Sequence, residues 1–473
     1  MNSPRMSSRR PPRPSAERSV VAVRILCVGD MHLGREPGRV PEEVLRETGL
    51  KRSSLAASAA WAAAVQEARQ LKVAAVLLAG DLVDSDDGFL AACGPLEKGV
   101  AALIDEGIAV VAVAGNHDTR VLPRLAKRLP GLTLLGQGGE WQTTLIEVEG
   151  QPVLRILGWS FPTREVRYDP LAKLHPEFSR GEFADGARVP TIGLIHGDLD
   201  AQVSLYAPLA RPRLEAVPCK AWLLGHIHKP SEFKGAQPIG YLGCLAGNDP
   251  SEPGPRGPWL GTIESGSLTL EHLPRSPLRW EELEINLEGV QTAEGLEERL
   301  WDELLHLDKK RSQEGCSARV VGLRPRLVGS TKVSHDIRAE VMAKAHTDFR
   351  PTFDTCTYFV DRKFIDEARP DWNIEAISHG SDPLAVLAQI LCGLEGESSD
   401  REDPDLEDFI ERTRQAMHAE ANHKNFAGLN RRAITSADAR AELVGAARRA
   451  FEELAAQSPT SKALPEPAAE QLT

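Results

Sequence analysis

The chain has 473 residues, 41% hydrophobic and 26% charged, an ordinary globular composition too long for one typical domain. Its net charge of −12 argues against a protein that coats nucleic acid through a global basic field, though not against a local basic groove. Seven cysteines stand dispersed at 27, 93, 219, 244, 316, 356 and 392 with no CxxC pair, which argues against a disulfide framework or a structural zinc site and for reduced thiols in a cytoplasmic protein.

Residues 1–20 are rich in Arg, Ser and Pro and lack the apolar core of a secretory signal, so they read as a disordered extension. No uninterrupted apolar stretch is long enough to span a bilayer. From Val20 to about Gly261 the pattern is α/β, with short β-branched apolar runs alternating with Ala-rich helical stretches. The runs are Val23–Val28, Val73–Ala79, Ile108–Ala114, Val153–Leu157, Thr191–Ile195 and Ala221–Leu224, with a helix predicted over Ser54–Leu71. A Pro/Gly cluster at Pro250–Pro258 reads as loop, and a strand pair at Trp259–Ile263 and Ser267–His272 is placed to close the sheet. Over 276–375, strands at Trp280–Leu287 and Ala318–Gly329 flank a helix at Gly295–Lys309, which makes a small α+β domain. Residues 382–394 and 405–455 read as helical on either side of an acidic run within Glu395–Glu411, which makes a helical C-terminal region over 376–456, and 457–473 form a Pro/Ser/Ala-rich tail expected to be disordered.

Five segments, each following a predicted strand, carry the chemistry: Gly29-Asp30-Met31-His32, Gly80-Asp81, Gly115-Asn116-His117-Asp118, His196, and Gly225-His226-Ile227-His228. In α/β sheets, ligands gather where the carboxyl ends of strands emit loops. A glycine ahead of the ligand lets the backbone turn off the strand. A lone DxH or HxH is weak evidence, since such pairs are more often surface residues; five segments in this order are specific. A two-metal hydrolase needs a bridging carboxylate, imidazoles and further oxygen donors. Asp30 and His32 can reach one ion, Asp81 can bridge, Asn116 offers an amide oxygen, and His196, His226 and His228 supply imidazoles. His117 is left over and can act as general acid or charge stabiliser.

The order GDxH…GD…GNHD…H…GHxH resembles the calcineurin-like metallophosphoesterases over roughly residues 23–275. Within them, Gly29-Asp30-Met31-His32-Leu33-Gly34 is similar to the opening of SbcD-type DNA repair nucleases, and the Gly243…Asp249…Glu252…Gly254…Gly257 segment resembles the YhaO-like subgroup. The resemblance implies a four-layer α/β/β/α sandwich over 21–275, a DNA-placing cap over 276–375, and a helical C-terminal region that docks on an SbcC-type coiled-coil ATPase. It implies Asp30, His32, Asp81 and His228 on one ion, and Asp81, Asn116, His196 and His226 on the other. His117 would be catalytic, with Asp118 orienting it, and the two divalent ions would be manganese. A homodimer and a DNA exonuclease activity in repair or end processing are further implications. Asp84 stands where many members carry a histidine three positions after the bridging aspartate. The same site also suits a phosphodiesterase or phosphatase acting on small nucleotides or phosphoproteins. A non-enzymatic scaffold is the remote alternative. Arg35, Arg120, Arg164, Arg167, Lys229 and Arg256 are the cations that would line a DNA groove.

Overall fold

The computed structural model describes residues 22–395 except 182, 184, 202, 265 and 373, together with 404–421 and 434–457. The N-terminal extension, the tail after 457 and the middle of the acidic run lie outside the described residues. The chain divides into two compact units, one within 1–286, 293–328 and 335–367, the other within 287–292, 329–334 and 368–473.

Eleven strands carry the first part of the chain: β1 (Val23–Val28), β2 (Ala75–Ala79), β3 (Ala109–Val113), β4 (Leu132–Leu134), β5 (Gln142–Val148), β6 (Gln151–Trp159), β7 (Thr191–His196), β8 (Ala221–Gly225), β9 (Ile239–Tyr241), β10 (Trp259–Glu264) and β11 (Ser267–His272). They form two sheets, ordered β11-β10-β1-β2-β3-β4 and β5-β6-β7-β8-β9. Strands β1 to β4 are mutually parallel, as are β6 to β9, so the carboxyl ends within each set point one way.

The period-2 alternation of side chains assigns each residue to a layer. Ile25, Cys27, Ala75, Leu77, Ala79 and Val111 pack between the sheets against Ile156, Ile192, Leu194, Ala221 and Leu223. Their neighbours Leu26, Val28, Val76 and Leu78 face the other way, onto Trp61, Ala64, Leu96, Val100 and Leu103 of the helices Ala57–Gln70 and Phe89–Ile104. The outer face of the second sheet buries Leu157, Trp159, Ile195, Trp222 and Leu224 beneath Phe161, Leu171, Leu214 and Val217. The result is the four-layer sandwich. Burial on both faces is why the central strands are continuous apolar runs. Trp61, Trp159 and Trp222 are among the largest fully buried side chains, and truncating one to Ala costs about 3–5 kcal/mol in such a core.

The first unit also contains a second, smaller α+β layer. Leu278–Asn286 runs parallel to Val320–Val328, which pairs with Cys356–Val360, and the helix Ala293–Gln313 connects the first two. The loop leaving His32 leads into the helix Glu42–Thr48. Its Val44 and Leu45 join Val40 and Leu55 in packing on Leu278, Trp280, Val320 and Phe359. The two parts of this unit therefore share a core.

In the other unit, Ser330–Thr331 pairs with Arg369–Pro370. The helices Pro383–Glu395, Pro404–Ala421 and Ser436–Gln457 bury Ala388, Leu391, Phe451 and Ala455 in one cluster and Leu394, Ile410, Ala439 and Leu443 in another. No helix among the described residues is long and apolar enough to cross a membrane. All seven cysteines are free.

Candidate dinuclear metal centre

Each motif begins where its strand stops. β1 ends at Val28 and β2 at Ala79, β3 ends at Val113, β7 ends on His196 itself, and β8 ends on Gly225. The chain must then bend hard. His32, Asp81 and His226 all have positive φ, at 49°, 49° and 108°, a conformation that costs a non-glycine residue of order 1–3 kcal/mol. Two glycines make the convergence possible. A Cβ on Gly115 would lie 2.1 Å from Asp81 Oδ1, and one on Gly225 would lie 2.1 Å from the Ala79 carbonyl oxygen.

The chain brings all nine singled-out residues into one neighbourhood. His32 Nε2 lies 3.1 Å from His228 Nε2, and Asp30 completes a set with these two rings whose donor atoms lie within 4.8 Å of one another. Asp30, Asp81 and His196 form a second set within the same limit. His196 Nε2 is 3.0 Å from Asn116 Oδ1 and 3.3 Å from Asp81 Oδ2. Asp30 accepts the backbone N–H of His226 at 2.9 Å, and Asp81 accepts that of His117 at 2.9 Å. The rings of His196 and His226 sit 5.3 Å apart.

These groups fit two cations by their own chemistry. His196 Nδ1 donates to the Ala79 carbonyl at 3.1 Å, which leaves Nε2 as a lone pair on the neutral ring. That lone pair faces only acceptors, Asn116 Oδ1 and Asp81 Oδ2, so the arrangement calls for a positive centre. His228 Nδ1 donates to Glu252 Oε1 at 2.6 Å, so its Nε2 lone pair meets His32. Imidazole, carboxylate and amide oxygen together suit manganese, iron or zinc.

The charges follow the same pattern. Burial lowers the pKa of His196, but Asp81 and Asp30 beside it reverse this and push it up to about 9. Burial would raise Asp81, yet the His196 ring holds it below the usual carboxylate range. Burial raises Asp30. His226 is pushed down to about 4 by burial and by the charge of His196.

His117 stands at the rim, half-buried, with its ring in edge contact with His32 at 5.1 Å. Its Nδ1 donates to the backbone carbonyl of Asp84 at 2.7 Å, so Nε2 is the ring atom left to exchange a proton with a substrate oxygen. The expected orienting partner, Asp118, is placed otherwise. It is fully buried, and its two oxygens accept the N–H groups of Leu82 at 2.7 Å and Gly115 at 2.8 Å. It ties the Asp81 loop to the Asn116 loop, while Asp84 does the orienting. Burial and the charge of Asp81 push Asp118 up to about 8. The Asp84 carboxylate lies 3.2 Å from His32 Nδ1.

Two carboxylates beyond the motifs also belong here. Glu252 meets His228, and Asp198 Oδ1 lies 3.3 Å from His226 Nε2. Asp198 follows His196 by two residues, and Glu252 lies in the Gly243–Gly257 segment; neither stands inside a ligand motif. The groove cations fare unevenly. Arg35 pairs with Glu252, Arg120 with Asp86 and Arg167 with Glu165. Arg256 is 4% exposed and donates to the Pro255 carbonyl, so it packs inside the loop instead of lining a groove. Arg164 and Lys229 are exposed.

Residues 23–230 match the calcineurin-like phosphoesterase family. Over 240 residues the chain is 26% identical to the uncharacterized metallophosphoesterase YhaO of Bacillus subtilis, an alignment that takes in 50% of this chain and 57% of the relative. Similar solved structures include the Thermus thermophilus protein TT1561, at 14% identity and a TM-score of 0.32 over 53% of this chain and 99% of that one. A dimetal phosphatase from Danio rerio aligns at 13% identity and a TM-score of 0.33, over 53% of this chain and 95% of that one. The family match coincides with the stretch that carries every ligand motif.

Proposed function

We propose that the protein is a two-metal phosphodiester hydrolase whose substrate is DNA, a nuclease that trims ends in repair. The observation that carries the hydrolase reading is the pair of facing sets, Asp30–His32–His228 and Asp30–Asp81–His196, with His117 beside them. Asp30, His32, Asp81 and His228 would hold one divalent ion, and Asp81, Asn116, His196 and His226 the other, with manganese the expected metal. Bound there, such ions supply an activated hydroxide and neutralise charge on the phosphoryl group. His117, its Nδ1 proton anchored on Asp84, protonates the departing sugar oxygen through Nε2.

DNA as substrate is supported by the GDxHLG opening of SbcD-type nucleases and by the α+β layer over 278–366, which packs on the helix following that motif. The same reading makes the layer a cap, makes an SbcC-type ATPase and a second copy of the chain its partners, and puts it in the cytoplasm, in keeping with seven free cysteines. A small phosphodiester or phosphomonoester is the second reading. It is favoured by one observation: Arg35, Arg120 and Arg167 are already paired and Arg256 is buried.

The test is degradation of end-labelled linear DNA with added manganese, wild type against His117→Ala, with an aromatic phosphodiester in parallel. Cleavage of both substrates by wild type, with DNA cleavage lost in the variant and the aromatic diester much less affected, supports the nuclease. Cleavage of the small diester with DNA untouched at every length moves the substrate to the second reading.

A further inference from the structure

We propose that Glu252 is the positioning residue of the first ion's site, a single buried carboxylate that locks together the two chain segments whose histidines face each other. The inference rests on the two-metal reading above and names a residue outside the ligand motifs.

Three contacts define the role. Glu252 Oε1 takes the Nδ1 proton of His228 at 2.6 Å. Since a carboxylate only accepts, the tautomer is fixed, and Nε2 is left as the lone pair that lies 3.1 Å from His32 Nε2. The same oxygen is 3.5 Å from Nη1 of Arg35, three residues beyond His32 on the loop leaving β1. Its other oxygen accepts the Asn248 N–H at 3.2 Å. One side chain thus holds the His228 ring directly and the His32 loop through Arg35. Glu252 is only 8% exposed, so these bonds form out of water, where a charged acceptor is worth most.

The loop that carries Glu252 is itself anchored. The Glu252 N–H bonds the Asp249 carbonyl at 2.9 Å, and the Gly254 N–H bonds the Trp280 carbonyl at 2.7 Å. Trp280 lies on the first strand of the small α+β layer. The position of His228 is therefore tied to that layer through the Gly254–Trp280 and Glu252–His228 hydrogen bonds and the short stretch of chain between them.

A carboxylate behind a ligating imidazole orients the ring and raises its basicity, and its loss typically costs roughly 10–100-fold in metal affinity. The rival explanation is a separate cation site, because Cys244 completes a triangle with His228 and Glu252 within 4.8 Å.

The experiment titrates the metal-stripped full chain with manganese by calorimetry, for wild type, Glu252→Gln, Glu252→Ala and Cys244→Ser. Apo thermal unfolding is recorded for each. The expected result is two ions in wild type and in Cys244→Ser. In Glu252→Ala one ion is weakened about 10–100-fold. Glu252→Gln falls between, because its amide oxygen still fixes the tautomer without the charge. If Glu252→Ala unfolds earlier yet binds both ions as wild type does, Glu252 is structural only and the proposal is overturned. A third ion in wild type, lost in both Glu252→Ala and Cys244→Ser, overturns it in favour of the separate site. A wild type that binds no ion overturns the two-metal reading itself, a result distinct from either.

Discussion

His32 and His228 are 196 positions apart, yet their Nε2 atoms lie 3.1 Å from one another. Two neutral imidazoles at that separation can share at most one proton, so the pair is arranged for a cation that takes both lone pairs. His228→Ala should bind one manganese ion fewer than wild type by elemental analysis after gel filtration. Phosphodiester hydrolysis should fall by at least about 100-fold, more than the loss of an outer partner brings. Full retention of both ions would remove His228 from the ligand set.

His117 touches the ligand loops through its backbone N–H on Asp81 and through its ring on Asp84, not through a ligand atom of its own. His117→Ala should therefore keep both ions while losing about 10²–10⁴-fold in rate. The loss should depend on the leaving group. A nitrophenyl ester, whose oxygen leaves without a proton, should suffer far less than an alkyl ester. Equal losses on both would mean that His117 stabilises charge and does not deliver a proton.

Much of this arrangement is legible in the sequence, because a strand buried on both faces and a glycine-led ligand loop leave strong local marks. β1, β2, β3, β7 and β8 are such strands. β5 is not legible in the sequence: QTTLIEV opens on three polar residues, keeps no period-2 alternation and sits at a sheet edge. β4 and β9 have three residues each, too short for any periodicity. Asp198 carries no mark in the sequence, and Glu252 stands out only as part of the Gly243–Gly257 segment; the service each gives a histidine 28 or 24 positions away follows no spacing rule. Arg256 failed for the opposite reason: its charge suggested a surface, and only packing shows it buried.

Gly115 tests how tightly the loops are interlocked. Gly115→Ala would put a methyl group 2.1 Å from Asp81 Oδ1 and 2.7 Å from the Asp81 backbone nitrogen, so the buried carboxylate and its backbone must shift to admit it. Overpacking of this kind costs about 1–3 kcal/mol, and the bridging ligand is displaced with it. The variant should unfold at lower urea concentration and retain less than the wild-type complement of manganese. A wild-type metal content would show that Asp81 can swing aside.

Asp118 is predicted to matter for stability rather than proton transfer. Asp118→Ala leaves the buried N–H groups of Leu82 and Gly115 without acceptors, at about 1–3 kcal/mol for each. Urea unfolding of the metal-free protein should show that loss, and Asp118→Asn, which keeps one acceptor oxygen, should recover part of it. If Asp118→Ala instead unfolds like wild type but reproduces the leaving-group dependence of His117→Ala, then Asp118 acts through His117 after all.

Metal uptake should be coupled to proton release at His196. In the metal-free protein its pKa is raised from 6.5 to about 9 by Asp81 and Asp30 against the opposing effect of burial. A raised imidazole pKa means the proton stabilises the fold fully below 6.5, and that contribution is lost as the pH rises through about 9. Nε2 must give up this proton to become a ligand, so manganese affinity should climb with pH across that window and level off above it. Calorimetric titration at pH 7.5 in buffers of different ionisation enthalpy should return close to one proton released per protein. His196→Asn should abolish that release. A wild-type titration with no buffer dependence would mean that His196 is already neutral in the metal-free protein, and that its neighbours' charge is balanced elsewhere.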